Sequence, residues 1–475
     1  MNHFCTPLAA ALKKQSEDRF VAFDVPGHKG QDSALIEFYG KTCVSLDKNS
    51  RDSIDYLCQP QGVILEAEKL AADAFGAADA FFMVGGTTSS VQAMIMCVCT
   101  PGDKIILPRN VHYSVINAVI LAGAVPVYVE PPVHSTLGIA LGIRLEDLKL
   151  CIRQNTDAKA VLVNNPTYYG ICSDIKSIVE LAHSHQMYVL ADEAHGTHFY
   201  FSDLLPDAAI HCGADLAAVS MHKTGGSLTQ SSVLLSSGSI ERKTITETIN
   251  LMCTTSASYL LMASLDIARK NLALSGNKKL AEVIALADKT RNEINKLKGF
   301  YAFGKEIIDN DAVYEFDLTK LSINSFETGL TGIEIYSVLR DRYNIQLEFG
   351  DMRNCLAICS MYDSESDHLK LVNALKAISE QSRGCSDNIP EYEYIPPVVK
   401  LSPRKAFYSR KSIIPVAEAE NRISGCAVMS YPPGIPLLAP GELITKKIIE
   451  HIVFAATKGC SVSGLDKQMN ISVID

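Results

Sequence analysis

The stretch SMHKTGG, Ser220–Gly226, sets a hydroxyl, an imidazole, a lysine and two glycines at the end of an apolar run. A lysine amine attacks a carbonyl only when neutral. A semi-buried lysine beside a second group that can become cationic, here His222, has its pKa lowered towards that state. Lys223 is thus a candidate for carbonyl chemistry, although taken alone it reads more simply as a surface lysine at a strand end.

Its neighbours change that balance. In VLADEAHGTH, Asp192 directly follows the apolar run Met187–Ala191, so its carboxylate is expected at the same edge of a sheet. In VGGTTSSVQAM, Val84–Met94, two glycines and four hydroxyl residues, among them Thr87, Thr88 and Ser89, precede an apolar helical segment. Free backbone amides and a helix dipole there suit a phosphate dianion, though ordinary helix caps use the same residues. RNVHYS supplies His112, a flat imidazole able to stack on a ring, and NPTYYG supplies the Thr167 hydroxyl. A phosphate cradle, a ring stacker, a hydroxyl, a carboxylate and a lysine together answer the needs of pyridoxal 5'-phosphate (PLP), whose pyridine nitrogen must stay protonated. A rival reading makes Asp192, Glu193, His195 and His198 the ligands of a metal-dependent hydrolase. It leaves Lys223 and the phosphate loop unexplained, and no metal is expected.

The elements that must position these residues follow from apolar patterning. From about residue 80 to 240, runs rich in Val, Ile and Leu alternate with amphipathic stretches, the mark of a parallel sheet covered by helices. Strands are predicted at Lys104–Leu107, Val125–Val129, Ala160–Val163, Met187–Ala191 and Leu216–Val219, and ligands bind beyond the carboxyl ends of such strands. Asp174 is expected to cap a helix that buries Ile175, Ile178, Val179 and Ala182. A long helical region spans Ser258–Leu297. Gly384–Pro403 reads as a linker, and Tyr431–Glu442 is too proline-rich for a helix or a central strand. The expected scheme is an N-terminal arm (1–50), a PLP-binding large domain (51–300), a small α/β domain (301–385) and a C-terminal domain (386–475).

Composition sets the limits. The 475 residues, 47% hydrophobic and 20% charged, suffice for two or three cores, and a net charge of −9 without a basic patch argues against a nucleic-acid partner. The longest nearly apolar stretch, Val115–Val129, is broken by Asn117 and Pro126 and falls short of the roughly 18 residues of a membrane span. The start lacks a basic region before its short apolar run, so no secretory signal and a cytoplasmic location are expected. Fourteen scattered cysteines without a CxxC pair are expected as free thiols.

Together with VPGHKG (Val25–Gly30), PGDKIILPRNVH, GADLAAVSMHKTGGSLTQSS, TSASYLLMASLD and YPPGIPLLAPGE, these motifs closely resemble the fold-type I PLP enzymes of the ornithine/lysine/arginine decarboxylase family, in the family's order. The resemblance implies an α/β fold: a PLP-dependent transferase-like large domain with a mostly parallel sheet, a smaller α/β domain and a C-terminal domain. It implies that Lys223 is the Schiff-base lysine, that Asp192 pairs with the pyridine nitrogen, and that His112 and Ala194 cover the two ring faces. Thr88, Ser89, Ser220 and His222 would meet the phosphate with Thr87 beside them, and His195 would lie near the cofactor and the substrate carboxylate. Lys223 or His222 would return a proton to Cα. The sequence departs from the family at Ala257, often proline, and Asn421, commonly glycine.

The resemblance further implies a homodimer or dimer of dimers with a shared active site, Thr254 and Thr255 reaching the partner's phosphate. The chain begins almost directly at the arm, as in biosynthetic arginine decarboxylases, so the expected substrate is L-arginine, giving agmatine for polyamine synthesis, with lysine and ornithine next. A distal cation needs a carboxylate, and Glu348, Asp351, Glu418 and Glu420 are available. An aminotransferase or carbon–sulfur lyase would usually keep an arginine for the substrate carboxylate, and none is identifiable in that role; a PLP-binding regulator would need a DNA-binding module.

Overall fold

The computed structural model describes the chain apart from residues 19, 382–383, 385–394, 431–433 and 458–460. It divides into two compact units, one of residues 1–97, 189–203 and 207–278, the other of residues 98–188, 204–206 and 279–475. The fold is α/β with a mostly parallel sheet.

In the first unit the strands Asp79–Met83, Ser232–Ser236, Leu216–Val219 and Tyr188–Glu193 lie side by side in that order. The last two are parallel; the other two pairings are antiparallel. Leu-Ala-Ala-Val and Val-Leu-Ala are buried throughout, as strands covered on both faces must be. The Tyr188–Glu193 ladder continues through Asp192 opposite Ala218 and Glu193 opposite Val219. Asp192 therefore sits inside the strand, which ends two residues beyond the apolar run.

The N-terminal segment of this unit is tied to the helix Tyr259–Ile294, which matches the long helical region to within a few residues. Buried Asp266 accepts from the backbone amides of Leu8 and Ala9 at 3.1 and 3.3 Å. Arg269 donates to Asp266 at 2.6 Å and to the carbonyls of His3 and Cys5. These bonds satisfy free amides at the start of the helix Pro7–Glu17.

In the second unit Ala160–Asn164, Lys104–Pro108 and Val125–Val129 are parallel neighbours in that order, the first two each one residue longer than expected. Asp174 caps the helix Ile175–Ser184 by accepting from Ser177 N at 3.0 Å, and Ile175, Ile178, Val179 and Ala182 are its buried face, as the periodicity predicts. A separate antiparallel sheet orders Tyr301–Ala302, Lys320–Asn324, Asn354–Ile358 and Phe349–Gly350; in the chain the helix Gly332–Tyr343 lies between its second strand and Phe349–Gly350, and Glu365–Gln381 follows Asn354–Ile358. Leu137, Ile171, Phe303, Phe316, Phe349 and Leu356 share one core.

Near the C-terminus Val428, Leu438, Ile448, Ile452, Ile471 and Val473 form another core. The proline-rich segment supplies an edge strand, Ile435–Leu438, where Pro436 lacks no central ladder bond. Its start, 431–433, and half of the expected linker, 385–394, lie outside the described residues. No helix among the described residues is long and apolar enough to cross a membrane, and every cysteine among them is a free thiol.

Candidate active site

Gly86, with φ of 72°, turns the chain from the strand Asp79–Met83 directly into the helix Gly86–Val98. The four hydroxyl residues Thr87–Ser90 therefore form the first turn of the helix rather than a loop ahead of it. Gly86 N donates to Gln230 O at 2.8 Å, which anchors the turn. The hydroxyls do not all point the same way. Thr87 and Ser220 share a short buried hydrogen bond, Thr87 also donates to Ser232 at 3.1 Å, and Ser90 joins Ser232 at 2.9 Å. This network ties the helix start to the end of the lysine-bearing strand. Thr88 is exposed, and Ser89 donates to Gly86 O at 2.9 Å.

After Leu216–Val219 and Ser220 the chain makes one π-helical turn, Met221–Gly225, closed by Gly226 at a φ of 84°. Lys223 is half-buried on that turn, with Nζ 3.0 Å from His195 Nε2. His222 faces elsewhere: its Nδ1 lies 2.9 Å from Ser231 O, and because a carbonyl only accepts, Nδ1 carries the proton. Buried His195 thus sets an imidazole within hydrogen-bond distance of the lysine amine. Thr197, just beyond His195, donates to Ser220 O at 3.0 Å.

Asp192 is buried, and its Oδ1 accepts from Ala194 N at 3.1 Å. Ala194 is half-buried. Glu193, the next residue, is spent on the Tyr200 hydroxyl and on Ala209 N at 2.9 Å. Burial, reinforced by the Glu193 charge, holds the Tyr200 hydroxyl well above its usual range. Glu193 is therefore committed within the unit, which weakens the four-residue metal set read from the sequence.

The second unit carries His112 and Thr167. His112 caps the helix Tyr113–Ala122, Nδ1 accepting from Ser114 N at 3.1 Å, so its ring plane is fixed by the cap. Thr167 is buried and bonded to Ile171 in both directions, its N donating to Ile171 O at 2.8 Å and its Oγ1 accepting from Ile171 N at 3.2 Å. Arg109, three residues before His112, makes a buried ion pair with Glu442 at 3.0 Å.

Of the carboxylates offered for a distal cation, Glu348, Glu418 and Glu420 are exposed. Asp351 accepts from the Tyr169 hydroxyl and from the amides of Arg353 and Asn354 at 2.7 and 2.6 Å. Burial raises its carboxyl despite these donors. Thr254 and Thr255 are exposed. Ser90, Thr197 and Ser232 were not singled out from the sequence as partners of this network; Ser90 ends the hydroxyl run of VGGTTSS, Thr197 lies in AHGTH, and Ser232 lies in the LTQSS run after Lys223.

Residues 6–366 match the family description "Orn/Lys/Arg decarboxylase, major domain", and residues 391–470 match its C-terminal domain. The chain belongs to the Orn/Lys/Arg decarboxylase family. Within this family it is 44% identical to the arginine decarboxylase of Bacillus subtilis (strain 168), over 98% of this chain and 96% of that one. It is 42% identical to the arginine decarboxylase of Bacillus anthracis, with the same coverage. Among solved structures, the lysine decarboxylase of Francisella novicida superposes with a TM-score of 0.86 at 20% identity, over 99% of this chain and 81% of that one, a likeness of fold. In this decarboxylase-family chain Lys223, His195 and Asp192 thus stand on one compact unit with the hydroxyl-rich helix start.

Proposed function

We propose that the chain decarboxylates L-arginine to agmatine, for polyamine synthesis, with PLP held on Lys223. The observation that carries the proposal is the Lys223 amine 3.0 Å from a buried imidazole, on a turn that follows a strand paired with the one bearing buried Asp192. The residues suit the cofactor. A side chain at Gly86 would find nothing nearer than Gln230 O at 3.9 Å, so the helix start is open there, whereas one at Gly85 would strike Ser89 Oγ at 2.5 Å. The buried Thr224 hydroxyl beside Lys223 finds no partner among the described residues. Thr87, Thr88, Ser89, Ser220 and His222 are the proposed phosphate side, and Asp192, Ala194, His112 and Thr167 are proposed to address the ring.

Bound PLP supplies an electron sink for the bond that joins Cα to the carboxylate. The chain's own groups do the rest. Asp192, aimed by Ala194 N, holds a proton on the ring nitrogen. His195 Nε2 accepts a proton from the Lys223 ammonium and so leaves the amine neutral for attack. Lys223 Nζ returns a proton to Cα after carbon dioxide departs; His222 could do so only as the imidazolium, since its Nδ1 proton goes to Ser231 O.

Arginine is supported by the two relatives named above, both arginine decarboxylases. Asp351 already accepts from Tyr169, Arg353 and Asn354, which argues for another carboxylate at the guanidinium. We further propose a homodimer or dimer of dimers in the cytoplasm with Thr254 and Thr255 at the partner's site. The exposed apolar side chains Phe20, Phe23 and Phe38 of the arm favour association. The domain scheme 1–50, 51–300, 301–385 and 386–475 belongs to the same proposal.

Borohydride reduction of the holoenzyme followed by peptide mapping tests the attachment. Reduced cofactor on Lys223 is expected. Label on another lysine, or a Lys223→Ala variant that turns over near the wild-type rate, would end this reading.

A further inference from the structure

A cysteine, an aspartate and a histidine converge where the strand Asn354–Ile358 gives way to the helix Glu365–Gln381, in a part of the second unit that the proposed chemistry does not use. Cys359 Sγ, a carboxylate oxygen of Asp363 and a ring nitrogen of His368 all lie within 4.8 Å of one another. Cys359 is 4% and His368 7% exposed, while Asp363 opens to solvent.

Hydrogen bonds fix which atoms face the gap. Thr290 Oγ1 donates to Leu286 O at 2.8 Å, so towards His368 Nδ1, 2.7 Å away, it can only accept. His368 therefore carries its proton on Nδ1, and in the neutral ring Nε2 presents a lone pair. That lone pair faces Asp363 Oδ2 at 3.5 Å, itself an acceptor. Asp363 is held in turn by Ser360, whose N and Oγ each donate at 3.1 Å. A histidine locked in one tautomer by a hydroxyl, and a carboxylate oriented by its own donors, are the outer contacts that metal ligands have. Sulfur, imidazole nitrogen and carboxylate oxygen are the donor set of zinc-class ions.

We propose that Cys359, Asp363 and His368 form a site for a divalent ion of the zinc class, three protein ligands with the fourth position open on the Asp363 side. Tetrahedral ligation at about 2.0–2.3 Å requires the ligand atoms to draw together by about 1 Å, a movement that the exposed Asp363 side chain can supply. The ion takes Cys359 as thiolate and the thiol proton passes to solvent; no electron is transferred. Because the ligand is the thiolate, ion binding competes with protons. A bound ion would pin the first turn of Glu365–Gln381 to the strand end and, through His368 and Thr290, to the helix Tyr259–Ile294.

The test uses the full-length protein, stripped with a chelator and dialysed against zinc ions alone, with bound zinc counted by atomic absorption. Wild type is expected to hold one zinc ion per chain more than Cys359→Ser or His368→Gln. Cobalt(II) in place of zinc should give a thiolate charge-transfer band that Cys359→Ser lacks. Asp363→Asn, a surface change, should bind zinc at least about tenfold more weakly while decarboxylating arginine at the wild-type rate without added metal. Equal zinc counts in wild type and all three variants, or no thiolate band in the wild-type cobalt protein, would overturn the site and leave the PLP reading untouched.

Discussion

Replacing Arg109 by methionine should destabilise the second unit by about 3–5 kcal/mol near neutral pH, because it strands a buried carboxylate. Arg109 is 5% exposed; it donates to Pro436 O at 2.7 Å and to Glu442 Oε2 at 3.0 Å, and its guanidinium lies 5.3 Å from the Tyr128 ring centroid. Glu442 is 2% exposed, keeps one other donor, Ala439 N at 2.7 Å, and its Oε1 has no hydrogen-bond partner among the described residues. The loss has a ceiling, since the carboxylate can take up a proton instead. From an ordinary value of 4.5 to a working pH of about 7.5 that costs about 3 × 1.36, or about 4 kcal/mol. Burial already raises the Glu442 carboxyl in the intact protein, and the Arg109 charge opposes it.

A group whose folded pKa is raised contributes stability below its unfolded value and loses it as pH rises through the folded one. The penalty of Arg109→Met should therefore shrink to about 1 kcal/mol near pH 5.5. Urea unfolding at both pH values, followed by circular dichroism because the chain has no tryptophan, measures it. Adding Glu442→Leu should recover most of the loss, as the buried charge then disappears. An equal loss at both pH values, or a double variant no more stable than the single one, would refute the reasoning.

Thr87→Val should cost about 1–3 kcal/mol in unfolding experiments and weaken PLP binding in a spectroscopic titration, since it strips partners from Ser220 and Ser232 in a buried network. Gly86→Ala should cost about 1 kcal/mol through its positive φ alone, because the space beside it is open; Gly85→Ala should disturb cofactor binding more, because its methyl would meet Ser89. Asp192→Asn should retain bound PLP yet slow turnover by about 10²-fold or more, read as kcat with saturating arginine.

Most of the frame was legible because the strands are continuous apolar runs, and a parallel sheet buries both faces of each. Lys223 and Asp192 could be assigned to strand ends for that reason. The Asp192 strand ran further than expected because ladder pairing with Ala218 and Val219 carries polar residues that hydropathy alone would exclude. Sequence adjacency offered His222 beside the lysine but gave no sign of His195, 28 positions away, which meets Lys223, while His222 Nδ1 reaches Ser231 O. The network of Thr87 with Ser220 and Ser232 spans more than a hundred residues, and no local pattern announces it. Asp351 reads in the sequence as available for a substrate cation, and the bond it accepts from Tyr169, 182 positions earlier, has no local sign. Motif resemblance supplied what periodicity could not, the ring contacts of His112 and Ala194, and those stay proposals.

We propose that this chain removes the carboxyl group of arginine using PLP on Lys223. The most direct measurement offers arginine, lysine and ornithine separately to the purified, PLP-loaded protein and quantifies amine product and carbon dioxide. Agmatine from arginine at the highest kcat/KM, abolished in Lys223→Ala, is the predicted result; no product from any of the three would contradict the account.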